Sequence, residues 1–286
     1  MLIEGSLIVS CQADPGSPFD DPLFIRAFAR AAILGGATAL RLQGVNNILA
    51  VRSEQNLPII GLIKRREPEL GHIYITPEQS DVHDVINAGA DIVAFDATLR
   101  KRPVPISELI HLIHQRGKLA MADISTAIEA IAALEAGADY VSTTLSGYTH
   151  YSPQLEGPDL DLISDLAIRG ISPIAEGRIR TPAEACEALE RGAFAVVVGS
   201  AITRPEVVTS WFSQEISKVI PSETSQMLNS KYYQTPDLIE NTTYNANRDT
   251  FNENSVHEDE ANEDISRVTE IEPTEDFEGI PSVDLT

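Results

Sequence analysis

AIEAIAALEAGADYVSTT, residues 127–144, is the stretch that decides the fold. Its first half sets Ile128, Ile131, Ala132 and Leu134 along one stripe at helical spacing. Its middle, Ala136-Gly137-Ala138-Asp139, reads as a helix-ending glycine, the residue that accepts a left-handed backbone at no steric cost. Its end, Tyr140–Thr143, predicts a short strand, one of a series of runs that do not alternate apolar with polar as a half-exposed strand would. The unit is helix, glycine, buried strand.

The same unit recurs along the first two hundred residues. Comparable lead-ins stand at Gly35-Gly36-Ala37, Ala88-Gly89-Ala90-Asp91 and Arg191-Gly192-Ala193, and Gly117 and Gly170 precede two further runs. The apolar runs are Leu7–Cys11, Thr38–Leu42, Ile59–Ile63, Ile92–Phe95, Leu119–Ala122, Tyr140–Thr143, Ser172–Ala175 and Phe194–Val198. Helical patterns separate them. Thr181-Pro182-Ala183-Glu184 combines an N-cap, a first-turn proline and a capping-box glutamate, and Ser107 is the expected cap of the helix through His111 and His114. Alternating β and α elements imply a parallel sheet, and eight strands favour a closed (β/α)8 TIM barrel over an open sheet. Trp211 and Phe212 are expected to dock the last helix onto it.

Charge divides the chain at residue 220. Residues 1–220 hold 27 acids and 18 bases, net −9, whereas residues 221–286 hold 16 acids and 3 bases, net −13. The second segment has no apolar period and too little apolar surface to offset the entropy of ordering, so a disordered acidic tail over 221–286 is expected beside a barrel over 1–220. A chain of net charge −22 without a basic stripe argues against nucleic acid and against anionic membrane surfaces. No apolar run approaches the length of a membrane span. Leu7–Cys11 reads as a first strand, not a lipoprotein signal, since the segment before it is short and carries Glu4. Two cysteines without pairing or metal-ligand spacing fit a reducing compartment, so the expected location is the cytoplasm.

In a TIM barrel the chemistry sits at the C-terminal ends of the strands. Those positions hold Gln12, Arg41 and Gln43, Lys64-Arg65-Arg66, Asp96, Asp123, Thr143-Thr144, Glu176-Gly177-Arg178 and Gly199-Ser200. Gly177 and Gly199-Ser200 follow strands seven and eight, where backbone amides and a short helix opening at Ser200 suit a phosphate. Arg178 and Arg204 add candidate charge-assisted bonds to it. Lys64 is expected to be desolvated beside Arg41 and Arg65, which lowers its pKa and suits a base next to a carbonyl or a Schiff-base amine. Glu176 is its expected acid–base partner across the rim. Asp96 and Asp123 are open between orienting Lys64, binding a sugar hydroxyl and tying down a loop. No His, Cys or carboxylate spacing suggests a metal, and no glycine motif suggests a nucleotide.

Several of these stretches resemble successive motifs of the N-acylglucosamine-6-phosphate 2-epimerases. They are Leu7–Gln12, Ile60–Arg65, Met121–Thr126, Thr143–Thr149, Ala175–Arg178 and Gly199–Arg204, and the likeness runs from about Gly5 to about Ser217. The resemblance implies an isomerase of amino-sugar and sialic acid breakdown that interconverts N-acetylmannosamine 6-phosphate and N-acetylglucosamine 6-phosphate. It further implies no metal or nicotinamide cofactor, and a homodimer. Catalysis would fall to Lys64 and Glu176, sugar binding to Gln12, Arg41 and Asp123, and phosphate binding to Gly177, Gly199, Ser200 and Arg204. The acidic tail has no counterpart in the resemblance. A Schiff-base lyase and a non-catalytic barrel are the competing readings. A decarboxylase of the D-x-K-x-x-D type is disfavoured, since Asp91-Ile92-Val93-Ala94 lacks the lysine.

Overall fold

The computed structural model describes residues 1–66 and 72–219. The expected tail over 221–286 and its boundary at residue 220 lie outside the described residues. In chain order the elements are β1 (Ser6–Cys11), α1 (Pro22–Leu34), β2 (Ala39–Gln43), α2 (Val45–Arg52), β3 (Ile59–Leu62), β4 (Lys64–Arg66) and β5 (Ile73–Ile75). There follow α3 (Gln79–Asn87), β6 (Ile92–Asp96), α4 (Ile106–Gln115), β7 (Leu119–Asp123), α5 (Ala127–Glu135), β8 (Tyr140–Ser142) and α6 (Leu160–Ile168). The last are β9 (Ile174–Glu176), α7 (Pro182–Glu190), β10 (Ala195–Val198), α8 (Ser200–Thr203) and α9 (Pro205–Val219).

Eight strands close into a parallel barrel in the order β1-β10-β9-β8-β7-β6-β3-β2. The closing pair is β1 with β10, in register from Ser6 opposite Ala195 to Val9 opposite Val198. Side chains alternate along a strand, so alternate residues of each strand enter the barrel. Ile8, Ala39, Ile60, Leu62, Ile92, Ala94, Met121, Ile174, Ala195 and Val197 fill its lower interior and are buried. The intervening residues, among them Val9, Leu40, Leu42, Val93, Phe95 and Ala122, meet the helices. The same alternation carried upward puts Ser10, Arg41, Asp123, Ser142 and Glu176 in the uppermost layer, through the registers Ser10–Arg41 and Asp123–Ser142. An apolar plug thus supports a polar ceiling.

Four local expectations are corrected. Helix α5 buries Glu129, Ala130 and Ala133, whereas Ile128 of the predicted stripe is 70% exposed. The small alanines allow close approach, and Glu129 accepts from Ser125, Thr126, Leu99 and Tyr151. Helix α4 starts at Ile106 behind Pro105, with Ser107 inside its first turn. Helix α9 has no buried residue, and Phe212 is 67% exposed, while Trp211 lies under the Arg180 guanidinium at 4.9 Å. Finally, Lys64–Arg66 does not continue the third barrel strand. It pairs antiparallel with Ile73–Ile75 as a separate hairpin, since three successive cations cannot enter an apolar barrel wall uncompensated.

Candidate active site

The ceiling of the barrel is organised around one guanidinium. Arg41, 1% exposed, donates through Nη1 to Asp123 Oδ1 at 3.2 Å and through Nη2 to Asp123 Oδ2 at 2.6 Å. Its Nε lies 3.2 Å from Glu176 Oε1, with the N–H not aimed at a hydrogen-bond acceptor. Burial disfavours the Arg41 charge, but Asp123 and Glu176 outweigh it and raise its pKa. Thr144, just beyond β8, reaches both acids: its Oγ1 is 2.8 Å from Asp123 Oδ1 and 3.0 Å from Glu176 Oε2. Below it Ser142 Oγ is 2.8 Å from Thr144 Oγ1.

Two acids thus share one buried cation. Burial raises the pKa of both carboxyls. At Asp123 the Arg41 charge and hydrogen bonds are the main opposition. At Glu176, which lacks the bidentate contact, Arg41 and Lys64 oppose the rise and the Asp123 charge adds to it.

Lys64 approaches from the β4–β5 hairpin. Thr76 donates its N–H to Ile63 O at 2.7 Å and accepts the Ile63 N–H on Oγ1 at 3.1 Å, which clamps the hairpin where it leaves the barrel. Successive residues of the strand face opposite ways. Arg65 turns outward to Asp81, Nη2 to Oδ1 at 2.5 Å, and is not the neighbouring charge that lowers the Lys64 pKa. Lys64 is open to solvent through the barrel mouth, yet the surrounding walls displace much of its hydration. That desolvation is the main cause of a lowered pKa; Asp14 opposes it, Arg41 reinforces it, Glu176 opposes it and Arg204 reinforces it. A lysine whose neutral form is favoured thus lies within electrostatic reach of a carboxyl whose protonated form is favoured, an arrangement suited to acid–base chemistry.

The opposite corner is made of backbone. Gly177 adopts φ +116°, and Gly199, at the start of α8, would bring a Cβ within 3.3 Å of Ser10 Cβ. The first amides of α8 have no partner inside their own helix. Thr203 ties α8 to β1 by donating to Ser10 O at 2.8 Å, and Gln12 donates to Ser10 Oγ at 2.8 Å. Arg204 pairs with Asp14 across the mouth and with Glu206 at 3.2 Å. Gly177, Gly199 and Ser200, named from the sequence for an anion, lie just past the ends of β9 and β10, and Arg204 follows α8 with Asp14 and Glu206 against it. Among the described residues no three His, Cys, Asp or Glu side chains gather as metal ligands.

A family model described as "NanE: Putative N-acetylmannosamine-6-phosphate epimerase" matches residues 25–218. The chain belongs to this family. It is 52% identical over 214 residues to the bifunctional enzyme NanE/NanK of Brucella melitensis, a match covering 75% of this chain and 41% of that one. The chain thus spans about two fifths of the length of that relative. It is 49% identical over 212 residues to the protein of Edwardsiella ictaluri bearing the 2-epimerase name, covering 74% of this chain and 89% of that one. The solved N-acetylmannosamine-6-phosphate 2-epimerase from Clostridium perfringens superposes with a TM-score of 0.72 at 45% identity, over 74% of this chain and 93% of that chain. The matched stretch in this family spans Arg41, Lys64, Asp123, Glu176 and the Gly199 turn.

Other rim residues have scaffold tasks. Arg178, expected at the anion, donates to Ser146 O at 2.6 Å and Gly157 O at 2.7 Å, bracing the loop between β8 and α6. Asp96 accepts from Thr98 N and Oγ1 and pairs with Arg100, whose guanidinium covers the Tyr74 ring at 4.6 Å. That resolves the choice left open for Asp96 in favour of tying down a loop, one that also buttresses the hairpin carrying Lys64. His111 and His114 lie exposed on α4 as expected. Sequence reasoning missed Asp14 and the link Thr144 makes between two acids. Asp14 was findable, since it stands two residues past Gln12 in a rim loop; the Thr144 link carries no local signal.

Proposed function

We propose that this chain interconverts N-acetylmannosamine 6-phosphate and N-acetylglucosamine 6-phosphate by moving the proton at C2, in the breakdown of sialic acid. The observation that carries the reading is the rim that gathers Arg41, Asp123, Thr144 and Glu176 in direct contact, with Lys64 close enough for its charge to be felt at Glu176. Gly177, Gly199, Ser200 and Arg204 hold the 6-phosphate, and its charge suits the N-terminal end of α8 and the arginine. Gln12, Arg41 and Asp123 orient the opened sugar. Neutral Lys64 takes the C2 proton from the aldehyde form, leaving an enolate. Glu176 supplies the acid that balances the developing charge. A proton from solvent then reaches the other face of C2, O1 returns its proton to Glu176, and Lys64 releases the proton it took to solvent, which completes the inversion. The chemistry uses protein groups alone.

The chain acts as a cytoplasmic homodimer that binds no nucleic acid. Support for the location comes from two free cysteines and from the described helices, none of which is long and apolar enough to cross a membrane. Support for the dimer comes from Phe212 and Ile216, exposed on α9, and from the apolar groove along Leu7, Val9, Phe28 and Ile202. The acidic balance supports the exclusion of nucleic acid.

The test is to incubate the protein with N-acetylmannosamine 6-phosphate in deuterated water and follow the sugar by NMR. Appearance of the gluco epimer with deuterium at C2 is the expected result. An unchanged substrate would remove the reading.

A further inference from the structure

Thr144 has one hydroxyl hydrogen and three close oxygen neighbours: Asp123 Oδ1 at 2.8 Å, Glu176 Oε2 at 3.0 Å and Ser142 Oγ at 2.8 Å. If both acids are ionised, Thr144 donates to one of them and faces the other lone pair to lone pair. The Ser142 hydroxyl does not repair this, since it lies 3.5 Å from Glu176 Oε2. One extra proton does. With it on Glu176 Oε2, Glu176 donates to Thr144, Thr144 donates to Asp123 Oδ1, and Ser142 donates to Thr144. Every short contact then holds one hydrogen, and Thr144 accepts two and donates one, the full capacity of a hydroxyl. Placing the proton on Asp123 instead would weaken a carboxylate that already accepts two bonds from Arg41.

Building on the epimerase reading, we infer that Thr144 is a positioning residue that stores the acid's proton on Glu176 and turns as that proton leaves. In the resting site its hydroxyl hydrogen points to Asp123 Oδ1. When Glu176 gives its proton to the substrate, the new carboxylate on Oε2 attracts that hydrogen, and the Thr144 hydroxyl turns about its Cβ–Oγ1 bond, with Oγ1 staying in place, to donate to Glu176. Asp123 keeps its two Arg41 bonds, so it tolerates the loss. The Thr144–Asp123 hydrogen bond is exchanged for one to Glu176. Lys64 gains the C2 proton as Glu176 gives one to O1. On collapse of the enol, O1 returns its proton to Glu176 while Lys64 releases its own to solvent and C2 takes one on the other face, so charge balances across the cycle. The charged groups facing Glu176 are Arg41 on β2, Asp123 on β7 and Lys64 on β4, and Ser142 and Thr144 complete its surroundings. Thr144 is partly exposed at the mouth and Ser142 is fully buried beneath it, so the rotor has a fixed base and a free side.

The test uses the full chain and two readouts. The first is the infrared C=O band of a protonated carboxyl at neutral pH, assigned by its loss in Glu176→Gln. The band is expected in the wild type and in Thr144→Ser, and shifted in Thr144→Val, where burial still favours the protonated carboxyl but its O–H has lost the oxygen that accepts it. The second is turnover: Thr144→Val should lower kcat about tenfold or more with KM little changed and shift one limb of the pH profile, and Thr144→Ser should restore both. A wild type without the band overturns the inference, as does Thr144→Val with an unchanged band and pH profile. Should the wild type fail to epimerise the sugar, the epimerase reading falls, while the band still decides whether Thr144 stores the proton.

Discussion

Arg41 on β2 and Asp123 on β7 meet from strands three apart round the barrel, in a two-pronged ion pair with both side chains essentially closed to solvent (1% and 0%). The pair closes the top of the apolar plug and presents Glu176 with a cation already committed elsewhere. A buried pair adds little net stability, but removing one member strands the other charge. Asp123→Ala is therefore expected to cost about 3–5 kcal/mol in urea unfolding. The double change Arg41→Met with Asp123→Leu is expected to cost much less, because Glu176, which loses the same cation, takes up a proton and no buried charge is left unpaired. Equal losses in the two proteins would contradict the strained-charge account.

Lys64 makes opposite contributions to activity and stability. Lys64→Met should abolish turnover and C2 exchange while inorganic phosphate still binds, and near-normal turnover would remove Lys64 from the scheme. The lysine's folded pKa is lowered, chiefly by desolvation. The folded protein thus binds this proton less well than the unfolded chain. The penalty is full below the folded pKa, shrinks as pH rises through it, and vanishes above lysine's ordinary pKa. Lys64→Met is accordingly expected to unfold at higher urea than the wild type at neutral pH, with the gain disappearing in strong alkali. A gain that grows with pH would refute the sign.

Glu176 predicts a trend of its own. Its folded pKa is raised, with burial the main cause. A carboxyl shifted this way supports the fold below its ordinary pKa, and that support is lost as pH rises through the folded value. Glu176→Gln should therefore flatten part of the fall in stability above the ordinary carboxylate range. Denaturation midpoints for both proteins across that range give the comparison.

The two Arg178 bonds hold both ends of the loop between β8 and α6. Charge-assisted bonds of this kind contribute about 1.5–3 kcal/mol each when removed from protected sites. Arg178→Ala should speed amide hydrogen exchange across residues 146–157 and raise KM more than it lowers kcat. Unchanged exchange would show that the loop has other anchors.

At Gly177 the backbone sits at φ +116°, a region an L side chain rarely occupies. Gly177→Ala is expected to cost about 1–3 kcal/mol of backbone strain. The turn should open, so that inorganic phosphate inhibits less well and KM rises. Equal inhibition by phosphate in both proteins would take Gly177 out of the anion site.

Much of the barrel was legible because its signals are local. Each of the eight apolar runs overlaps a barrel strand, and Thr181-Pro182-Ala183-Glu184 opens α7 with the predicted capping box. Helix faces were less legible. Ile128 looked like core and is exposed, because α5 approaches the barrel through alanines and a bonded glutamate, a choice made by the neighbouring loops. Most of the candidate residues do lie at or just past strand ends, but their partners were not legible. Arg65 turned to Asp81 and Arg178 to loop carbonyls, because in a hairpin or a tight turn one residue's shift reverses the direction of a side chain.

By itself the sequence determined the alternating helix–glycine–strand order, and hence the closed parallel barrel and the rim on which Lys64, Asp123, Glu176 and Gly199 stand. Those features follow from periodicity and backbone preference within a dozen residues. Only the tertiary structure decided that Arg41 pairs with Asp123, that Lys64 arrives on a separate hairpin, and that Thr144 sits between two acids. Arg41 and Asp123 are 82 positions apart, and Thr144 and Glu176 are 32 apart. Such contacts depend on the register and closure of strands that local sequence does not specify, and those two properties set which side chains share the same few ångströms.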